Sequence, residues 1–63
     1  MNIEFKYELG DIVETRRGET GKIVLASAAP GKRDPLYLTY KLELDSGDKV
    51  WAPEYSIDRV IGW

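Results

Sequence analysis

The stretch from Leu36 to Pro53, "LYLTYKLELDSGDKVWAP", limits what this chain can fold into more than any other. Leu36, Leu38, Tyr40, Leu42 and Leu44 share one parity, and Tyr37, Thr39, Lys41 and Glu43 share the other. Side chains alternate faces along a strand, so the first set faces a core and the second faces out. The turn after Leu44 then sets the register of a partner strand running from about Asp48 to Ala52. A two-residue turn, Ser46-Gly47, pairs apolar Leu44 with charged Lys49. A three-residue loop, Asp45-Ser46-Gly47, pairs Leu42 with Val50, Glu43 with Lys49 and Lys41 with Trp51, which satisfies both faces. Such a loop is a type I turn followed by a glycine bulge, and Gly47 sits where φ must be positive. The register therefore turns Val50 and Ala52 inward and Lys49 and Trp51 outward. Lys41 lies across from Trp51, where its stem or ammonium can rest on the indole.

Turn signals divide the rest of the chain into short pieces: Gly10-Asp11, Gly18 to Gly21, Pro30-Gly31, Asp34-Pro35 and Ala52-Pro53. Between them lie runs rich in Val, Ile, Leu, Thr and Tyr, a spacing that predicts an all-β barrel or sandwich. No window sustains a 3.6-residue period. Ile12 to Arg16 reads as the first strand, with Val13 and Thr15 on one face. Gly21 to Ser27 reads as the second. The apolar run Ile23, Val24 and Leu25 predicts a bent strand buried on both sides. Ala28 to Pro35 is expected to be a polar loop, with a binding role as its alternative use. Pro53-Glu54-Tyr55-Ser56 predicts a single 3₁₀ turn opened by proline, and Asp58 to Ile61 a closing strand.

Sixty-three residues make one domain, close to the lower limit for independent folding. At 43% hydrophobic and 32% charged residues, the composition belongs to a globular rather than a disordered chain. There is no cysteine, hence no disulfide or thiolate–zinc site, and thiols do not report the compartment. No apolar run reaches the roughly 20 residues of a membrane helix. The segment MNIEFKYELG lacks the basic and apolar regions of a signal peptide, which makes a cytoplasmic protein the expectation. Nine basic and eleven acidic residues give a net charge of −2, which weighs against non-specific nucleic-acid binding. The charge is uneven, with six basic and five acidic groups up to residue 33 and three basic and six acidic groups beyond it. Arg16, Arg17 and Lys22 lie close in sequence, and so do Lys32 and Arg33. Solvated loop charges account for both groups without a ligand.

Five short strands with a 3₁₀ turn before the last resemble an SH3-like five-stranded small barrel. "YELGDIV" (Tyr7 to Val13) resembles the Gly-Asp-x-Val opening of KOW, Tudor-like and SH3 domains. "GETGKIV" (Gly18 to Val24) resembles the Gly-x-x-Gly-x-hydrophobic step of KOW domains, and "YKLELDSGDKVW" the strand–turn–strand of Tudor-like domains. These motifs cover nearly the whole chain, and each is a structural signature. SH3 domains also carry an Ala-Leu-Tyr-Asp-Tyr segment and a tryptophan pair that this chain lacks; "WAPEYSI" resembles their Pro…Tyr turn, one residue short. Methyl-lysine Tudor domains place a tyrosine of their aromatic cage beside the turn glycine, where this chain has Asp45-Ser46-Gly47-Asp48. The framework "LGDIV…G…GKIV…Y…G…P" is also similar to that of type II dihydrofolate reductases, tetramers with a central pore. Their active strand reads Val-Gln-Ile-Tyr-Pro. Here Lys49-Val50-Trp51-Ala52-Pro53 keeps the proline and lacks the catalytic glutamine and tyrosine, so the activity is not carried over.

With neither histidine nor cysteine, Ser-His-Asp and Cys-His nucleophilic sites and nearly every zinc arrangement are excluded. Asp45 and Asp48 flank a tight turn and read as turn residues, without the further acidic ligands of a calcium loop. Neither Gly10-Asp11 nor Gly18-x-x-Gly21 opens a helix, so no phosphate-cradling loop is expected. The reading is a non-catalytic chain with no cofactor, no metal and no membrane partner.

What remains is a surface. Tyr37, Thr39, Lys41, Lys49 and Trp51 share the outward face, with Tyr55 on the following turn and Arg17 among the basic residues. Aromatic and cationic groups together suit a partner's apolar anchor, proline-rich peptides or bases. Without a ligand, Trp51 would instead pack beneath the Ala28–Pro35 loop or against Trp63. Two functions follow. One is a protein-interaction module, self-association included. The other is a nucleic-acid-binding KOW- or Tudor-like barrel using Arg16, Arg17, Lys22 and Lys49 with Trp51. A more distant third is an oligomeric enzyme like the type II dihydrofolate reductases. The acidic balance favours the first.

Overall fold

The computed structural model describes residues 4–30 and 37–63. In chain order the elements are β1 (Ile12–Thr15), β2 (Thr20–Ala29), β3 (Tyr37–Leu44), β4 (Lys49–Pro53), a 3₁₀ turn (Glu54–Ser56) and β5 (Ile57–Gly62). The alternating run forms β3 as expected: Tyr40 and Leu42 are fully buried, while Tyr37 and Glu43 face out. Leu36, the expected first residue of that strand, lies outside the described residues.

The β3–β4 register is the one that the three-residue loop requires. Lys41 pairs with Trp51, Leu42 with Val50 and Glu43 with Lys49. The Gly47 N–H donates to the Leu44 carbonyl at 2.9 Å, the Leu44 N–H donates to the Asp48 carbonyl at 2.8 Å, and Gly47 takes φ +90°. The β1–β2 hairpin repeats this chemistry. Gly18 (φ +86°) donates to the Thr15 carbonyl at 2.9 Å, and the Thr15 N–H donates to the Glu19 carbonyl at 2.8 Å. Each loop is a type I turn closed by a glycine in the left-handed region, a conformation that costs a Cβ-bearing residue about 1 kcal/mol. "TRRGE" and "LDSGD" thus specify the same turn.

The five strands form one antiparallel sheet in the order β4-β3-β2-β1-β5. Among the described residues nothing pairs β4 with β5, so the sheet is open rather than closed into the expected barrel. Pro53 ends β4 and caps the 3₁₀ turn, which joins β4 to β5. One core nevertheless gathers residues from all five strands and the N-terminal segment: Tyr7, Val13, Ile23, Tyr40, Leu42, Ala52 and Ile57. A single sheet contributes every strand to one core only by bending around it.

An irregularity in β2 corrects the expectation of a strand buried on both sides. Ile23 pairs with Leu42 and Leu25 with Lys41, which leaves Val24 as an extra residue, a β-bulge. Before the bulge Ile23 faces the core; after it the parity reverses, and Leu25 emerges on the outer face, 48% exposed. The strand also continues to Ala29, so Ala28 and Ala29 belong to it and not to the expected loop. Gly31 to Pro35 of that loop lie outside the described residues.

Tyr40 anchors the N-terminal segment. Phe5 and Tyr7 meet its ring edge-on, with centroids 5.9 and 5.6 Å away. Its hydroxyl donates to Glu54 Oε2 at 2.5 Å and accepts the Tyr7 N–H at 3.3 Å, while the Lys6 N–H reaches the same carboxylate oxygen at 3.2 Å. Burial first, and the bond to Glu54 second, push the Tyr40 hydroxyl up to about 12. Among the described residues no helix is long and apolar enough to cross a membrane.

Candidate functional site

The outer face of the sheet is built in rows by the pairings. Leu25 on β2, Lys41 on β3 and Trp51 on β4 form one transverse row. The row toward the β3–β4 loop is Lys22, Glu43 and Lys49, and on the other side lie Ser27, Thr39 and Pro53. Trp51 is 53% exposed, and Lys41 Nζ stands 5.8 Å from its ring, as the register required. A cation over an indole at this distance is attracted by the negative ring face, by about 0.5–1 kcal/mol at an exposed site. Trp63 is 96% exposed, so it does not cover Trp51. Leu25 was invisible to sequence reasoning because only the bulge turns it out beside Trp51.

The structure divides the expected site into two parts. Trp51 and Arg17 line a groove of about 230 Å³ along β4, together with Thr15, Glu19, Val50 and Ser56. Tyr37 and Tyr55 line a different cleft of about 360 Å³, with Lys6, Arg16, Glu54 and Ile57. Hydrogen bonding with the Tyr55 hydroxyl, ahead of burial, holds the Tyr37 phenol above its ordinary range. Arg16 is engaged there: its Nε donates to the Tyr55 carbonyl at 2.9 Å, and its N–H to the Ser56 carbonyl at 2.8 Å. Arg16 and Arg17, neighbours in sequence, therefore serve different surfaces. That split follows from the tight turn at Gly18, and no pattern in the residues announces it.

Among the described residues the single ion pair is Arg59 Nε to Glu14 Oε1 at 3.3 Å, on the β1–β5 side. Lys41 and Lys49 have no carboxylate within ion-pair distance there. Among the same residues no three Asp or Glu side chains gather into a metal-holding group. The chemistry on offer around Trp51 is thus exposed apolar surface beside cations that have no ion-pair partner among the described residues. Comparison with protein-family models, curated proteins and solved structures finds no match to this chain.

Proposed function

We propose that the chain is a non-catalytic protein-interaction module that binds through the outer face around Trp51. The observation that carries this reading is the transverse row Leu25–Lys41–Trp51, which exposes two large apolar side chains two strands apart with a cation between them. Large apolar side chains exposed on one face and rimmed by polar groups mark contact sites. Tryptophan is among the residues most enriched where binding energy concentrates. Lys49 and Arg17 at the margin supply orientation and encounter rate more than affinity.

The test compares wild type with a Leu25→Ser/Trp51→Ala variant, both checked for an unchanged fold by amide spectra. Under this reading a protein partner is retained by wild type, lost by the variant and held at high salt. Sedimentation at rising concentration shows whether that partner is the chain itself. Retention of DNA or RNA instead, falling steeply with salt, overturns the reading, because counterion release dominates nucleic-acid binding.

A further inference from the structure

We infer that the free edge of β4 accepts an extended acidic peptide as a sixth strand, paired backbone to backbone with Trp51 and Lys49. The inference rests on the interaction reading above and specifies how that surface binds. It begins from hydrogen-bond phase. The Leu44 N–H donates to the Asp48 carbonyl, so Leu44 and Asp48 form a hydrogen-bonded pair. Antiparallel pairs alternate between bonded and non-bonded types. Leu42–Val50 and Tyr40–Ala52 are therefore bonded pairs, whereas Glu43–Lys49, Lys41–Trp51 and Thr39–Pro53 are not. The backbone N–H and C=O groups of Lys49 and Trp51 consequently point away from β3, toward the open edge. Pro53, which has no N–H to lose, occupies the next position of this kind. Its carbonyl already accepts the Ser56 hydroxyl at 2.8 Å.

This edge differs from the other one. β5 meets β1 through two register shifts, between Ile12 and Val13 and between Glu14 and Thr15, and such irregularities twist an edge away from further pairing. β4 meets β3 in five consecutive pairs without a shift, and it opens onto the groove lined by Arg17. A regular edge whose backbone has no partner among the described residues is the template for strand addition.

Charge selects the occupant. Lys49 shares the outer face with Trp51, and Lys41 lies one strand behind; neither has an ion-pair partner among the described residues. A peptide residue opposite Trp51 must be apolar, and the one two positions away that falls opposite Lys49, on the same face, must be acidic to meet its ammonium. A second copy of this chain suits the edge less well. Two-fold pairing about Trp51 sets Lys49 against Pro53 of the other copy, which gives its ammonium no carboxylate across the seam.

The probe is the capped peptide Thr-Glu-Thr-Val-Thr-Glu-Thr, titrated into the intact chain and followed by amide shifts and hydrogen exchange. Shifts should centre on β4, and the Trp51 and Lys49 amides, fast to exchange in the free chain, should become protected. N-methylation of the central valine should weaken binding about tenfold or more, since it deletes the N–H aimed at the Trp51 carbonyl. N-methylation of the threonine before it, whose N–H points away, should change little. Replacing both glutamates with lysine, or Lys49→Glu in the chain, should weaken binding severalfold. Equal effects of the two N-methyl positions, shifts centred elsewhere, or amides already protected in the free chain overturn the inference. Trp51 protection that grows with chain concentration alone also overturns it, in favour of self-pairing. If a protein partner sensitive to Leu25→Ser/Trp51→Ala is still bound when these peptide results fail, only the strand-addition mode falls. If that partner is absent as well, the interaction reading falls with it.

Discussion

Tyr40→Phe tests the linkage between the N-terminal segment, β3 and the 3₁₀ turn. The substitution keeps the ring, and with it the edge contacts to Phe5 and Tyr7, so no cavity forms. It deletes one oxygen that donates to Glu54 at 2.5 Å and accepts the Tyr7 N–H at 3.3 Å. A hydrogen bond to a charged acceptor contributes about 1.5–3 kcal/mol; this one is partly buried and the longer Tyr7 bond adds little, so the expected loss is about 2 kcal/mol. At ~2.1 cal/mol/K of unfolding entropy per residue, a chain this short loses roughly 10–15 °C in Tm.

The pH dependence gives a second handle on the same residue. Unfolded tyrosine releases its proton near pH 10, whereas folded Tyr40 holds its own up to about 12. Above pH 10 the unfolded chain therefore binds fewer protons than the folded one, and stability declines across that window. Tyr40 contributes on the order of 2 kcal/mol to that decline in wild type, and the phenylalanine of the variant, which has no proton to release, contributes nothing. The stability gap between wild type and Tyr40→Phe should thus be full below pH 10 and close toward pH 12. Urea unfolding at stepped pH, followed by far-ultraviolet circular dichroism, measures it. A variant with the wild-type midpoint at neutral pH, or a gap that stays constant through the alkaline range, refutes the reasoning.

Three further outcomes follow from the backbone and the surface. Gly21→Ala builds a Cβ 3.0 Å from Leu42 Cβ and 3.2 Å from the Glu43 carbonyl oxygen; the crowding should cost about 1–3 kcal/mol in a urea midpoint. Gly47→Ala meets open space but holds φ +90°, so it should cost about 1 kcal/mol, recovered by Asn at the same position more than by Val. Trp51→Ala should cost about 1 kcal/mol, because it removes the Lys41 contact and the covered part of the indole, and the wild-type-minus-variant emission should be readily quenched by acrylamide; a shielded Trp51 would contradict its 53% exposure.

The β3–β4 hairpin was legible in the sequence down to individual pairs. Period-two alternation decides which side chains can be buried, and a three-residue loop with a glycine in the left-handed region then leaves one register that satisfies both faces. The 3₁₀ turn was equally local, set by Pro53 and the three residues after it. These features depend on neighbours in the chain, and composition at short range is enough to specify them.

Other features depend on what the chain meets after it folds back. An apolar triplet, Ile23-Val24-Leu25, reads the same whether it is buried on both sides or bulged; only pairing with β3 makes Val24 the extra residue and turns Leu25 out beside Trp51. Tyr7, Tyr40 and Glu54 are far apart in sequence, and their network exists only because the N-terminal segment and the 3₁₀ turn converge on one buried hydroxyl. The separation of the Tyr37–Tyr55 cleft from the Trp51 groove likewise follows from how the strands curve around the core. The sequence by itself determined which side of its strand Trp51 occupies, because that is a matter of parity. The tertiary structure decided what stands beside Trp51 and that its backbone lies on an open edge, because both depend on contacts between distant segments.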